Sequence, residues 1–199
     1  MSAAIDHRPA FAVDRQRALA LVSTLVAPIE AKLEALAKLE AIADADAVLA
    51  LGILVAEVDP PLRSAIQGTV LRLGGERRFI AELGAADAAV RARAAHALGG
   101  LRHFAAVPAL IDRLTDPDAV VREQVASALI RLRDPRAESA LIHGLRFDPS
   151  PDVRSACAQA LGELGAADAL IAAASTEEDP FTVLLIERSL WRLENRARG

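Results

Sequence analysis

One sentence is written in this chain several times over. The stretches GAADAAVRARAAHALGGL (84–101), DPDAVVREQVASALIRL (116–132) and DPSPDVRSACAQALGEL (148–164) share a Val-Arg dipeptide followed by apolar residues at fixed distances. The dipeptides begin at Val90, Val121 and Val153, 31 and 32 residues apart, and looser copies begin at Leu62 and Thr182. Counting from each anchor, offset 4 holds Ile66, Ala94, Val125, Cys157 and Ile186. Offset 8 holds Val70, Leu98, Leu129, Leu161 and Leu190, and offset 11 is Leu in all five copies. Offsets 0, 4, 8 and 11 share one face of a 3.6-residue helix. Offset 6, with Gly68, His96, Ser127, Gln159 and Arg188, is expected to face water.

A shorter helical pattern follows each long one: RRFIAEL (77–83), VPALIDRL (107–114), ESALIHGL (138–145) and ADALIAAA (167–174). Between units stand Asp59-Pro60, Asp116-Pro117, Asp148-Pro149 and Asp179-Pro180. Asp caps a helix start and Pro cannot continue the preceding helix, so these are read as boundaries. The glycine pairs 74–75 and 99–100 are read as helix C-caps. The unit is helix, turn, helix, turn. A two-helix unit of this size cannot bury its apolar stripe alone, so the units must stack.

The pattern D-P-x-x-x-V-R-x-x-A-A-x-A-L-x-x-L, followed by A-L-I-x-x-L, resembles a HEAT repeat over residues 59–194. It is most similar to the short HEAT-like repeats of the phycobilin lyase type. The resemblance implies an all-α fold, an α-solenoid of stacked antiparallel helix pairs. About a dozen helices stacked at roughly 10 Å per layer would extend roughly 50–60 Å. Residues 12–58 lack the Val-Arg register and read as three helices, expected to cap the first of four to five repeats.

Composition narrows the function. Hydrophobic residues make up 53% with only 3% aromatic, which suits closely packed helices. The net charge of −4 argues against a nucleic-acid binder, and the longest apolar run (47–56) is too short to span a bilayer. With no secretory h-region at the start, a cytoplasmic location is expected. One Cys excludes a Cys-based zinc site, and the four His (7, 96, 103, 143) show neither metal-ligand spacing nor the His-Glu pairs of iron-binding HEAT-repeat hydroxylases. No metal, cofactor or catalytic residue is expected. Cys157 sits at a core offset and reads as a small hydrophobe. Trp191 reads as a plug over the exposed end of the stack.

Two residue series remain. Arg63, Arg91, Arg122 and Arg154 recur at one offset. They could form an anion ladder, but the resemblance implies structural pairing with loop acids such as Asp59, Asp116 and Asp148 between repeats. The resemblance also implies that second helices line a concave binding face. On them Arg78, Glu82, Asp112, Arg113, His143, Ala172 and Ala173 occupy outward offsets, with Arg146 at a helix end. The expected function is a non-catalytic protein-interaction module or scaffold whose partner is another protein or an acidic peptide segment. The alternatives are a bilin lyase or chromophore-handling factor, implied by the resemblance, and a HEAT-like DNA glycosylase, which the charge and the few aromatics oppose.

Overall fold

In the computed structural model, residues 20, 28–42, 45–55, 58 and 60–197 are described. Among them the secondary structure is helical, with no strand, and no helix is long and apolar enough to cross a membrane. The sequence-predicted helix near 12–27 lies, apart from Ala20, outside the described residues, as does Asp59. The chain divides into two compact units, residues 1–78 and 79–199.

In the first unit, α1 (Ile29–Ile42) and α2 (Ala45–Leu54) both pack on α3 (Pro60–Arg72). Leu36, Leu39, Val48, Leu51, Leu62, Ile66 and Val70 are buried there. Glu40 accepts from Arg72 Nη2 (2.7 Å) and Thr69 Oγ1 (3.1 Å), tying α1 to α3. Gly74 takes a left-handed turn (φ 69°), as a C-cap glycine does. Gly75 instead starts α4 (Gly75–Glu82), where a Cβ would come within 2.6 Å of Val48 and Val70 side-chain carbons. The division between units falls inside α4.

The second unit repeats one motif. The first helices are α5 (Ala88–Gly100), α7 (Ala119–Leu132), α9 (Pro151–Leu164) and α11 (Pro180–Ala197). The second helices are α6 (Val107–Arg113), α8 (Glu138–Phe147) and α10 (Ala167–Ala174). Each first helix packs on the next, α5 on α7, α7 on α9 and α9 on α11, and second helices pack alongside. This is the stacked helix-pair solenoid expected from the repeat.

The first helices run parallel, because successive contacts advance in the same direction along both partners. His96 Nδ1 lies 3.4 Å from Gln124 Oε1, and a Cβ on Gly99 would meet Ala128 Cα at 2.6 Å. Likewise Ser155 Oγ lies 2.9 Å from Thr182 Oγ1, and a Cβ on Gly162 would meet Ser189 Cβ at 2.7 Å.

Two expectations need correction here. Gly99 and Gly100 do not cap α5. The helix continues through them, because Gly99 is where α7 presses closest, and the left-handed residue is Arg102 (φ 51°). The water-facing side at offset 6 is also only partly so: Gly68, His96 and Ser127 are half-buried while Gln159 and Arg188 are exposed. An inner first helix has neighbours on two sides, so its apolar arc is wider than the sequence stripe implies. Offset 4, by contrast, is fully buried in all five copies.

Candidate functional site

The arginine series resolves first. Arg91 clamps Asp116 with two bonds, Nε to Oδ2 (2.8 Å) and Nη2 to Oδ1 (2.7 Å), while its Nη1 donates to the Ala85 and Ala86 carbonyls. Arg122 repeats the geometry on Asp148 (2.6 and 2.9 Å), with Nη1 on the Asp116 and Pro117 carbonyls. Arg154 repeats it on Glu177 (2.8 and 2.8 Å), with Nη1 on the Asp148 and Pro149 carbonyls. Each guanidinium thus holds its own loop by the backbone and the next loop by its acid. Forked, bidentate pairs of this kind are the geometrically specific use of Arg. Arg63 donates to the Val58 carbonyl (2.9 Å), and its Nε is buried without a partner.

The loop acids are therefore not the helix caps. The cap of α7 is Asp118, whose Oδ1 accepts from Val120 N and Val121 N. Asp116 instead accepts from Asp118 N (3.0 Å), Asp148 from Ser150 N (2.9 Å) and Glu177 from Asp179 N (2.9 Å). The working motif is acid, one residue, helix start: Asp116-Pro117-Asp118, Asp148-Pro149-Ser150, Glu177-Glu178-Asp179. Equating Asp179-Pro180 with Asp116-Pro117 was out of register by two. Asp179 is the cap-side residue, accepting from Thr182 N and Oγ1, and Glu177 is the acid that the sequence reading missed. Ahead of α5 the acid's place is taken by Ala85, two residues before the cap Asp87.

Burial pushes the Asp116 carboxyl up, but Arg91 and the Asp118 amide outweigh it and hold it below the ordinary carboxylate value. Arg154 holds Glu177 low against a smaller effect of burial. Asp116 and Asp148 are almost wholly enclosed, so the arginine clamps are saturated.

The second helices leave a different surface. α6, α8 and α10 have seven, ten and eight residues, enough for only two inward positions each: Val107 and Leu110, Leu141 and Leu145, Leu170 and Ala173. Ala173, placed outward from sequence, is one of the buried ones, since it follows Leu170 by three residues and shares its face.

Between α6 and α8 runs a groove of about 730 Å³, walled by Ile111, Asp112, Thr115, Ala140, His143 and Phe147, with the Arg122–Asp148 pair at its end. Phe147 is 64% exposed. The His143 ring lies 5.0 Å from it, and the Arg146 guanidinium stands 5.4 Å from its centroid. Beyond α8 a second depression of about 440 Å³ lies against α10, edged by Glu138, Ile142, Arg146 and Ala172.

Asp112, His143 and Arg146 are thus brought to one surface. Arg113 is drawn toward Asp116 (3.7 Å), so packing electrostatics already claim part of its charge. Arg78 and Glu82 are half-exposed on α4, Arg78 in the first unit and Glu82 in the second. The groove's apolar members, Phe147 and Ile111, escaped the sequence reading because apolar residues were assigned to the core. Phe147 does stand immediately before Asp148, where a helix is ending, and that was the available signal.

Beneath α8, Gly144 lets the helix rest on Cys157, whose Sγ would lie 2.8 Å from an added Cβ. Burial pushes the Cys157 thiol up to about 12, with Asp148 adding to the effect and Arg122 opposing it. Such a thiol supplies no thiolate at neutral pH. Among the described residues no group of three or more His, Cys, Asp or Glu is placed to hold a metal ion. Trp191, expected as a plug over the exposed end of the stack, is 65% exposed on α11.

Residues 76–162 match the family model of HEAT repeats. No curated protein matches the chain. Among solved structures, an engineered protein from the Northeast Structural Genomics Consortium superposes with a TM-score of 0.53 at 19% identity, covering 92% of this chain and 99% of its own. A designed armadillo repeat protein in complex with the peptide (KR)4 gives 0.51 at 15%, covering 87% and 98%. The CpcE–CpcF complex of phycocyanin lyase from Nostoc sp. PCC7120 gives 0.45 at 24%, covering 91% of this chain and 65% of that one, too loose a superposition to bear on function.

Proposed function

We propose that this chain is a non-catalytic protein-interaction module whose second-helix surface takes an extended segment bearing apolar and acidic side chains. The observation that carries the reading is the groove between α6 and α8 with Phe147 exposed at its wall. An exposed aromatic beside an open depression is the usual form of an interface anchor. Arg146 and His143 flank that ring, so a carboxylate on the ligand has donors next to the apolar contact. The arginine clamps do not compete for this role, because each already has its acid. A repeat solenoid is a frame commonly used in this way, and the designed armadillo neighbour is described with a bound peptide; with that protein the fold alone is shared.

The bilin-lyase reading asks for a cysteine or histidine facing a groove; Cys157 is enclosed and held as the thiol, whereas His143 does wall the groove and is the observation that favours this second reading. We also propose that residues 12–58 serve as the N-terminal cap.

The test is selection from a library of extended peptides, followed by titration against Phe147→Ser and Arg146→Glu. Selected sequences should combine Asp or Glu with a large apolar residue, and both variants should weaken them. Peptides that bind both variants as tightly as the parent protein would place the binding surface elsewhere.

A further inference from the structure

The groove at Phe147 is one copy of a repeated feature. One repeat further along, between α8 and α10, lies a smaller depression of about 230 Å³, and Phe147 and Asp148 belong to the walls of both. Aligned on the Ala-Leu-Ile of each second helix (109–111, 140–142 and 169–171), the two are walled by equivalent positions. Leu114 and Thr115 in the first become Leu145 and Arg146 in the second. Gly144 and Phe147 become Ala173 and Thr176, and the Arg122–Asp148 pair becomes Arg154–Glu177. The stack therefore presents one socket twice, with different side chains in it.

These differences decide what each socket accepts. The first holds Ile111 and Phe147 beside the exposed Asp112, so it takes a large apolar side chain and opposes a carboxylate. In the second, Thr176 replaces the aromatic ring on the far wall. Asp148 and Glu177 are already engaged by Arg122 and Arg154. Among the described residues of its wall this leaves Arg146, over the face of Phe147, as the cation available to a ligand. Arg146 lines the second socket and not the first. Glu178 stands across from it, so an incoming acid is drawn to the Arg146 side.

Spacing then selects the ligand's backbone. Packed helices stand about 8–10 Å apart, which is the step from one socket to the next. In a β-strand the side chains on one face recur at about 7 Å and then at about 13 Å, and neither matches. A polyproline II segment has three residues per turn and rises about 3.1 Å per residue. Its side chains three positions apart face the same way, about 9 Å from each other. That conformation alone of the two sets successive side chains into successive sockets.

We propose, resting on the reading of this groove as a peptide site, that the ligand crosses the second helices as a polyproline II segment of a partner protein. A large apolar residue enters the socket between α6 and α8, and an acid three positions away meets Arg146 between α8 and α10.

Fluorescence anisotropy with labelled synthetic peptides tests the register. Each peptide carries one Leu and one Asp joined by one, two or three Pro residues, flanked by Gly and Ser, and is made in both chain orders. In the better order the two-Pro peptide should saturate below about 1 mM and bind about three- to fivefold tighter than the other two, the size of one exposed charge contact. Arg146→Ala should remove that advantage and leave the same peptide with Ala in place of Asp unchanged. Phe147→Ser should weaken all three spacings alike. Both side chains are exposed, so the circular dichroism spectra of the variants should match the parent. Equal affinity for the three spacings, with Phe147→Ser still weakening them, would overturn the register and spare the groove. An Asp advantage that survives Arg146→Ala would overturn the assignment of the acid. Binding indifferent to Phe147→Ser, or no saturation by the two-Pro peptide, would overturn the groove reading and the register together.

Discussion

Arg91 and Asp116, 25 positions apart in the chain, meet through two parallel hydrogen bonds of 2.7 and 2.8 Å inside the stack. The Asp116 carbonyl is in turn held by Arg122 (2.8 Å), which clamps Asp148, so consecutive loops are linked through alternating side-chain and backbone contacts. A repeat protein is held together by terms between neighbours, and this chain of contacts is one such term written in polar atoms.

Asp116 and Asp118 should therefore fail differently. Asp116→Ala leaves Arg91 enclosed and uncompensated, a loss of about 3 kcal/mol or more. Asp118→Ala removes one helix cap, worth about 1 kcal/mol. Equilibrium denaturation of the two variants measures the difference. Equal losses would mean that Asp116 acts only as part of the turn.

Acid should attack the same contacts. Asp116 and Glu177 both titrate below the ordinary carboxylate range when folded, so the unfolded chain binds more protons between the two values. Their contribution is complete above about pH 5 and is lost as pH falls through the unfolded and then the folded values. Melting temperature followed from pH 7 to pH 2 should drop steeply at the acid end. In Asp116→Asn with Glu177→Gln the curve should begin lower and fall less steeply. An unchanged acid slope would assign the transition to other carboxylates.

Gly99 separates two opposed effects. In a free helix Gly→Ala stabilises by about 1 kcal/mol. Here the added methyl would stand 2.6 Å from Ala128 Cα, and relieving such a backbone overlap costs about 1–3 kcal/mol. The overlap should win, and Gly99→Ala should lower the melting temperature. A raised melting temperature would show α5 and α7 free to separate.

In the first unit, α3 is covered by α1 and α2. A fragment beginning at residue 59 would uncover Leu62, Ile66 and Val70. It should aggregate or bind a hydrophobic dye where the full chain does neither. A soluble fragment of full helical content would remove the capping role from residues 12–58.

The repeat was legible because its core positions recur. Offset 4 is buried in every copy, and five apolar residues at one offset carry that information without any structure. The arginine series was legible as a series for the same reason. Its partners were only half so, since Asp116 and Asp148 come with a following Pro, whereas Glu177 does not. The geometry requires an acid two residues before the helix start, and an Asp-Pro signature tracks that only by coincidence. The groove was harder to see. Phe147, Leu184 and Trp191 are apolar residues on water-facing sides, and periodicity alone assigns apolar residues to the core. Gly144 and Gly99 serve close approach rather than turns, which depends on the neighbouring helix and cannot be read from local sequence.

That the arginines are structural ties between repeats, rather than an anion-binding ladder, is tested most directly by a double-mutant cycle on Arg122 and Asp148. Unfolding free energies of Arg122→Gln, Asp148→Asn and the pair together give the coupling. The account predicts that the double variant loses clearly less than the two single losses combined, a coupling of about 1–3 kcal/mol. Strictly additive losses would contradict it.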